Sequence, residues 1–199
     1  QSKVTVVAPG GEGSNQIYST TPTYSSYRWP DQTGWNYGSG TSAAAPYVAG
    51  VAALIWSVAP GLTAGEVRTI IEQTANQVGN YEYGPNFSSG MGHGRVNAYG
   101  ALRYTLQNYS CVLKSLNNPI RIMESLTTKA GTTLTIEPGC QIEFAPGVQL
   151  NVGGQLIANG TPTQHITFTS TSSTPAPGDW YAIELTGNLR HRPRNGPRL

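Results

Sequence analysis

The segment Gly40-Thr41-Ser42-Ala43-Ala44-Ala45-Pro46 opens an uncharged, apolar run that continues to about residue 57. This run is apolar on nearly every side, which predicts a central helix packed all round. Gly40 lets the backbone turn sharply before the helix. Pro46 falls in the first turns, where its missing N–H is tolerated. Ser42 therefore stands at the start of a helix, where unpaired N–H groups favour developing negative charge.

A serine hydroxyl is a poor nucleophile unless a base takes its proton and donors receive the oxyanion that forms. The backbone N–H of Ser42 is the natural first oxyanion donor, and the small residues 43–45 let the helix hold the serine by packing. The alternative interpretation is a capping serine on an alanine-rich core helix. These residues alone leave open whether Ser42 is a nucleophile or a helix cap.

The same segment resembles the serine signature of subtilisin-like proteases, Gly-Thr-Ser-x-Ala-x-Pro-x-Val-Ala-Gly. Eight positions match: Gly40, Thr41, Ser42, Ala44, Pro46, Val48, Ala49 and Gly50. The resemblance runs through about residues 4–106 and includes Ala8-Pro9-Gly10 and the turn Gly92-His93-Gly94. It implies the C-terminal portion of a three-layer α/β fold and a serine endopeptidase that acts through an acyl-enzyme. Ser42 would be the nucleophile, with Thr41 supporting the oxyanion hole.

Two positions depart from the commonest form of that signature. Ala43 stands where many relatives have Met, and Tyr47 where many have His. Both lie outside the proton-transfer chemistry. Ala43 removes one oxidation-sensitive sulfur beside the nucleophile.

The triad's other members are not found where the resemblance places them. The family orders its triad Asp, His, Ser, but the residues before Ser42 contain no His and only Asp31, in a Pro- and Gly-rich loop. The three histidines that follow Ser42 are not expected to act as its base: His93, His165 and His191. We therefore expect the chain to be an inactive fragment whose Asp, His and oxyanion Asn lie upstream.

The loop before Ser42 is rich in aromatic residues. Tyr27, Trp29, Trp35 and Tyr37 lie between Ser19 and Ser39. They could wall a substrate pocket, with Tyr37 and Gly40 as the candidate substrate-contacting residues, or they could simply pack on one another at the surface. Both interpretations stay open on the sequence.

Three further elements are predicted in the first half of the chain. Val4 to Val7 has the pattern of a buried strand. Thr63 and Glu66 form a capping box that begins a second helix, whose apolar stripe is Val67, Ile70, Ile71 and Thr74. A third helix begins near Asn97 and runs from Ala98 to Leu106.

The residue pattern of the sequence changes between residues 105 and 131. After it come short apolar–polar alternations separated by Pro-Gly, Gly-Gly and Asn-Gly turns, which predict an all-β unit. A sandwich or a solenoid could use this pattern. We divide the chain into a protease-like part (1–106), a linker (107–130), a β-rich segment (131–189) and a basic tail (190–199) that is disordered or a sequence-end artefact.

The β-rich segment resembles the opening rungs of right-handed parallel β-helix surface proteins. The resemblance rests on residues 131–139, 154–161 and 166–170 and ends at Gly178-Asp179-Trp180. Coils of this kind need stacked neighbours to bury their inner faces. The resemblance implies a spacer or adhesive module that contacts surface polymers. It also leaves a second function open, a non-catalytic adhesion or carbohydrate-binding protein with a protease-like scaffold.

The amino-acid composition limits the kinds of partner that the chain is expected to bind. Only 11% of the residues are charged, a balance commoner in secreted and surface proteins. The net charge of +2 depends on four arginines in the tail, and without them eight basic residues face ten acidic ones, a balance of −2. We therefore expect no nucleic-acid partner. No run of about 18 apolar residues is seen, so no membrane span is expected.

Cys111 and Cys140 are the only cysteines in the sequence. In an exported protein they could form a disulfide, or they could be two separate buried thiols. Neither has a His or Cys at metal-ligand spacing, and no Asp-rich loop suggests calcium. We assign no metal and no cofactor, and expect a polypeptide substrate and a secreted or cell-surface location.

Overall fold

The computed structural model describes residues 4–20, 34–80, 82–83 and 90–187. Its contacts divide the chain into two units. The first comprises Gln1–Trp56 and Leu62–Leu102, and the second comprises Ser57–Gly61 and Arg103–Leu199. Asp31, Tyr27, Trp29, His191 and the basic tail lie outside the described residues.

Within its described residues, the protease-like part has a hairpin and three helices. Strands β1 (Ile17–Thr20) and β2 (Trp35–Gly38) pair antiparallel, with Tyr18 opposite Tyr37. The helices are α1 (Thr41–Val58), α2 (Ala64–Gln73) and α3 (Ala98–Asn108).

Helix α1 is less covered than the sequence predicts. Only Val51, Ile55 and Val58 are buried, and most other positions are exposed or half-buried. The prediction of a helix packed all round is therefore wrong for this structure, because the described elements cover only one stripe of it. An all-round apolar pattern shows that every face is suited to burial, but not that a neighbour is present to bury it.

Helix α1 is also long and apolar enough to cross a membrane, by length and composition alone. This property was not predicted from the sequence, because small polar residues, such as Thr41, Ser42 and Ser57, interrupt the apolar run. They lower its mean hydropathy only slightly. The core helix of a soluble protein passes the same test, so the finding is weak evidence for a span.

Helix α2 forms as its local signals predict. The Glu66 N–H donates to Thr63 Oγ1 over 3.3 Å, and the Thr63 N–H donates to Glu66 Oε2 over 2.8 Å. Val67, Ile70 and Ile71 are buried. The capping box is therefore confirmed, as are three of the four predicted stripe residues; the fourth, Thr74, is half-buried and caps the C-terminus of the helix.

Asn97 starts helix α3 as predicted. The Gly100 N–H donates to Asn97 Oδ1 over 2.9 Å. The helix ends at Asn108, two residues beyond the predicted Leu106.

Residues 4–7 form an extended segment rather than a regular strand. Val7 makes an isolated parallel bridge to Arg95, and the Val7 N–H donates to the Gly94 carbonyl over 2.8 Å. None of these four residues is fully buried. The predicted buried strand is therefore reduced to a bridge, because its described partner is one short turn.

Among the residues that the structure describes, the second unit has nine short strands. They are β3 (Cys111–Leu113), β4 (Ile120–Ile122), β5 (Leu126–Thr128), β6 (Thr133–Ile136), β7 (Gln141–Phe144), β8 (Leu150–Val152), β9 (Gln155–Ala158), β10 (Thr167–Ser170) and β11 (Ile183–Leu185). A 3-10 turn spans Ser115–Asn117.

These nine strands form three parallel sheets, ordered β3-β6-β9, β4-β7-β10 and β5-β8-β11. Each strand pairs with the one three places along the chain, so the chain returns to each sheet once per repeat. Such parallel pairing differs from the antiparallel meander of a sandwich. Residues 107–130, expected to be a linker, contain β3, β4 and β5, which hold an edge of each sheet. These strands are too short to show a clear alternation.

Inward-facing side chains make the core of this unit. Leu134, Ile136, Ile142, Leu150 and Val152 are each at most 2% exposed. They belong to β6, β7 and β8, which lie at the centre of the three sheets. The middle repeat is therefore the best buried.

Side chains connect the first repeat to the second at each corner. Three of them precede β3, β4 and β5, and each accepts a backbone N–H from the next repeat. The pairs are Ser110 Oγ with Thr133 N at 3.0 Å, Asn118 Oδ1 with Gln141 N at 2.8 Å, and Ser125 Oγ with Gln149 N at 3.2 Å. We call these three residues the corner acceptors.

Candidate active site

The candidate site lies at the N-terminus of α1. Gly40 has a φ of 125°, in the region that favours glycine, and its carbonyl accepts from the N–H groups of Ala43 (3.0 Å) and Ala44 (3.3 Å). Helix α1 begins at the next residue, Thr41. Ser42 is therefore the second helical residue, and its N–H has no acceptor within the helix. Ser42 is exposed.

Gly40, the residue before this helix, is held by a hydrogen bond to a second segment of the chain. The Gly40 N–H donates to the carbonyl of Gly10 over 2.7 Å. Ala8-Pro9-Gly10 was identified from the sequence only by its resemblance, and this contact was not predicted. No signal in the sequence identifies this contact, because a glycine in either segment suits an ordinary turn equally well.

An open groove of about 940 Å³ includes Ser42. Gly38, Ser39 and Tyr18 line it on the hairpin side, and Tyr47 and Leu54 line it on the α1 side. Its described lining does not include Tyr37 or Gly40, the two candidate substrate-contacting residues. Thr41 instead lines a second groove, of about 840 Å³, on another side of α1.

The described aromatic residues of the hairpin pack on one another. The Tyr18 ring lies 4.8 Å from that of Tyr37 and 5.8 Å from that of Trp35, measured between centroids. All three side chains stay more than half exposed. This arrangement matches the surface-packing interpretation for Trp35 and Tyr37, while Tyr18, which the sequence did not single out, is the ring that reaches the groove.

The structure describes two of the three histidines, His93 and His165. His93 Nε2 lies 3.8 Å from Glu72 Oε2, and the His93 N–H donates to the Thr5 carbonyl over 2.8 Å. His93 is therefore held between α2 and the N-terminal segment. His165 is exposed, in the second unit.

The two cysteines are separate thiols rather than a disulfide. Both are buried, and their sulfurs lie 3.5 Å from the Thr105 carbonyl (Cys111) and 3.4 Å from the Leu113 carbonyl (Cys140). Burial raises the pKa of Cys111 to about 12 and also raises the pKa of Cys140. Both thiols therefore stay protonated at neutral pH and are poor nucleophiles.

No cluster of three or more metal-ligating side chains occurs within residues 4–20, 34–80, 82–83 and 90–187. Among these residues, Ser42 is the candidate nucleophile best placed for chemistry, because it is exposed at a helix N-terminus and lines a groove. The arrangement can supply a hydroxyl and a backbone oxyanion donor. It does not itself supply the base.

Two family models match the chain in succession. The subtilase family matches residues 1–94, and the pectate-lyase-like β-helix domain matches residues 106–194. No solved structure matches.

Two curated proteins are similar to parts of the chain. One is "Protein bark beetle" of Drosophila melanogaster, 41% identical over 74 residues, which cover 37% of this chain and 2% of that protein. The other is "Thermitase" of Thermoactinomyces vulgaris, 41% identical over 109 residues, which cover 52% of this chain and 29% of that protein. The chain thus spans less than a third of either relative. Residues 1–94 are thus similar to the subtilase family, and residues 106–194 are similar to the pectate-lyase-like β-helix domain.

Proposed function

We propose that this chain carries the nucleophile of a subtilisin-like serine endopeptidase. The observation that supports this most is the position of Ser42, exposed in the first turn of α1 within the segment that matches the subtilase family. The similarity to Thermitase covers more than half of the chain and points to the same reaction class.

The chemistry follows from this placement. Ser42 Oγ attacks the carbonyl carbon of a peptide bond while a base accepts the hydroxyl proton, and negative charge develops on the carbonyl oxygen. The Ser42 N–H and the positive end of the α1 dipole stabilise that charge, with Thr41 beside them. The C–N bond then breaks, the amine leaves with the proton, and water hydrolyses the ester on Ser42.

The base is the missing part of this chemistry. Residues 1–41 contain no histidine, whereas the family's triad runs Asp, His, Ser. We propose that the Asp, the His and the side-chain oxyanion donor lie in sequence outside these 199 residues. The 199-residue chain alone is then inactive, because a serine without a base is a weak nucleophile.

The second unit extends this proposal. Its three parallel sheets, with strands paired three apart, suit a parallel β-helix. We propose that residues 106–187 are the start of such a β-helix and act as a spacer or adhesive module that contacts surface polymers. The low share of charged residues, 11%, fits a secreted or cell-surface protein.

A fluorophosphonate probe, which reacts with activated serines, tests the assignment. In a chain extended upstream to include the family's Asp and His, we expect labelling that Ser42→Ala abolishes. Ser57→Ala, at the other end of the same helix, should keep full labelling. Labelling that survives Ser42→Ala, or none in a folded extended chain with both residues present, would refute Ser42 as nucleophile.

A second candidate function is a non-catalytic surface protein with a protease-like scaffold. It is favoured by the absence of a histidine before Ser42, together with the match of residues 106–194 to a pectate-lyase-like β-helix domain. The upstream sequence separates the two functions, since a chain that lacks the Asp or the His there supports the scaffold. Binding to a polysaccharide array that is unchanged by Ser42→Ala would support it further.

A further inference from the structure

We propose that Gly10 is a positioning residue for the nucleophile, acting on Ser42 through the peptide unit of Gly40. This inference rests on the proposed function, because it explains how Ser42 is held rather than what it does. Gly10 is not a catalytic residue, since it acts only through Gly40.

Gly10 contacts both polar groups of Gly40. Its carbonyl accepts the Gly40 N–H at 2.7 Å. A methyl group placed on the Gly10 Cα would lie 2.8 Å from the Gly40 carbonyl oxygen and 3.6 Å from the Cβ of Ala44. The first distance is shorter than real side chains adopt, and the obstructing atom belongs to the backbone, which cannot rotate away.

The backbone conformation gives no other reason for a glycine at this position. Gly10 does not lie in the left-handed region, so an alanine could adopt its φ without strain. Gly50 and Gly61 are likewise outside that region, but a methyl group on either would meet nothing within 4 Å. The requirement at residue 10 is therefore close approach of two backbones.

A displacement at Gly40 passes directly to Ser42. The Gly40 carbonyl accepts from Ala43 and Ala44, so it begins the hydrogen-bond ladder of α1. Ordinary contact starts at 3.4 Å, so a methyl group at residue 10 would have to move the Gly40 oxygen by about 0.6 Å. Because Ser42 lies between Gly40 and Ala43, its hydroxyl and N–H must shift with the first turn.

Amide hydrogen exchange on the 199-residue chain tests the contact without any activity. We expect Gly10→Ala to speed exchange of the Gly40 amide by about tenfold, because its hydrogen bond weakens. Gly50→Ala, which adds a methyl in open space, should leave that amide unchanged. Unaltered Gly40 exchange in folded Gly10→Ala would overturn the inference.

Inactivation kinetics test the effect on Ser42 in the upstream-extended chain. Gly10→Ala should lower the maximal rate of fluorophosphonate inactivation by about tenfold or more. The probe concentration for half-maximal rate, the fraction of molecules finally labelled and the pH midpoint should not change. A purely structural defect would instead lower the labelled fraction, and either that result or an unchanged rate would overturn the positioning role.

A double variant keeps the test decisive if Gly10→Ala does not fold. Adding Ala44→Gly removes the second neighbour of the new methyl, which can then move away from the Gly40 oxygen. We expect partial recovery of folding and of the inactivation rate, whereas no recovery of either would contradict the close-approach argument. If the unaltered extended chain fails to label, the proposed function fails, and the exchange experiment still decides whether Gly10 holds Gly40.

Discussion

Phe144 and Trp180 stack with ring centroids 4.5 Å apart and planes 17° from parallel. Phe144 is fully buried in β7, whereas Trp180 precedes β11. The pair therefore ties a late segment of the second unit to one of its central strands. Offset or near-parallel aromatic pairs of this kind contribute beyond the area they bury.

Truncation of Phe144 should strongly destabilise the second unit. Phe144→Ala removes a fully buried ring and its stacking contact with Trp180, so we expect the free energy of unfolding to fall by about 3–5 kcal/mol. Urea unfolding followed by circular dichroism measures it. Tyr181→Ala is the control, because Tyr181 is 71% exposed and its truncation should cost less than about 0.5 kcal/mol. Equal effects of the two variants would contradict this account of the core.

Glycine at position 154 should be required by the stacking of repeats. A methyl group there would lie against the Thr132 carbonyl oxygen, too close for either backbone to keep its place. Gly154→Ala should cost about 1–3 kcal/mol of unfolding free energy. Gly61→Ala, where a methyl meets open space, should be close to neutral. Differential scanning calorimetry of both variants measures this. An unchanged unfolding free energy for Gly154→Ala would contradict the close approach of Gly154 to the Thr132 carbonyl.

The capping box of α2 should make stability depend on pH. Hydrogen bonds from the Thr63 backbone and side chain hold the pKa of Glu66 below its ordinary value of 4.5. A carboxyl whose folded pKa is lowered contributes stability above its unfolded pKa and loses it as pH falls through the folded pKa. Wild type should thus be more stable than Glu66→Gln at pH 7, and the difference should shrink as the pH falls below about 4.5.

Urea titrations of both proteins across this range measure that difference. In a Thr63→Ala background the pH dependence of the Glu66→Gln difference should be weaker, because both hydrogen bonds depend on the cap geometry. A difference that grows on acidification would contradict the sign of the shift.

The cysteines should behave as two inert thiols. Burial and the raised pKa of Cys111, about 12, keep the thiolate rare, so iodoacetamide should react slowly with folded protein at pH 8. In denaturant without reductant, both Cys111 and Cys140 should alkylate fully, as mass spectrometry would show. If alkylation in denaturant required prior reduction, the two would be joined by a disulfide.

Local signals were enough to predict some elements. The Thr63 and Glu66 pair lies three residues apart, so its geometry depends on nothing distant, and α2 begins where the sequence indicates. The position of Ser42 at a helix start was likewise predictable from neighbouring residues, whereas its role as nucleophile stays a prediction. Strand pairing was not predictable, because alternation shows which face is buried but not which strand lies alongside. The parallel register of Ile120 with Ile142 depends on the whole repeat.

The remaining differences involve contacts between distant residues. The bond between Gly10 and Gly40 leaves no periodic pattern, since each glycine suits a turn equally well. The exposure of α1 was missed because composition shows that a helix can be buried, whereas burial requires a neighbouring element. The three-residue strands of residues 107–130 are shorter than any alternation that could reveal them.

The corner acceptors make part of the junction between the first two repeats depend on side chains that mutation can change. Gln155, in the third repeat, donates its N–H to the backbone carbonyl of Thr132, an acceptor that no amino-acid substitution can delete. Ser110, Asn118 and Ser125 add side-chain bonds to the backbone pairing of the first two repeats. Single-nucleotide changes at three codons could therefore tighten or loosen the junction one corner at a time, leaving the buried core untouched.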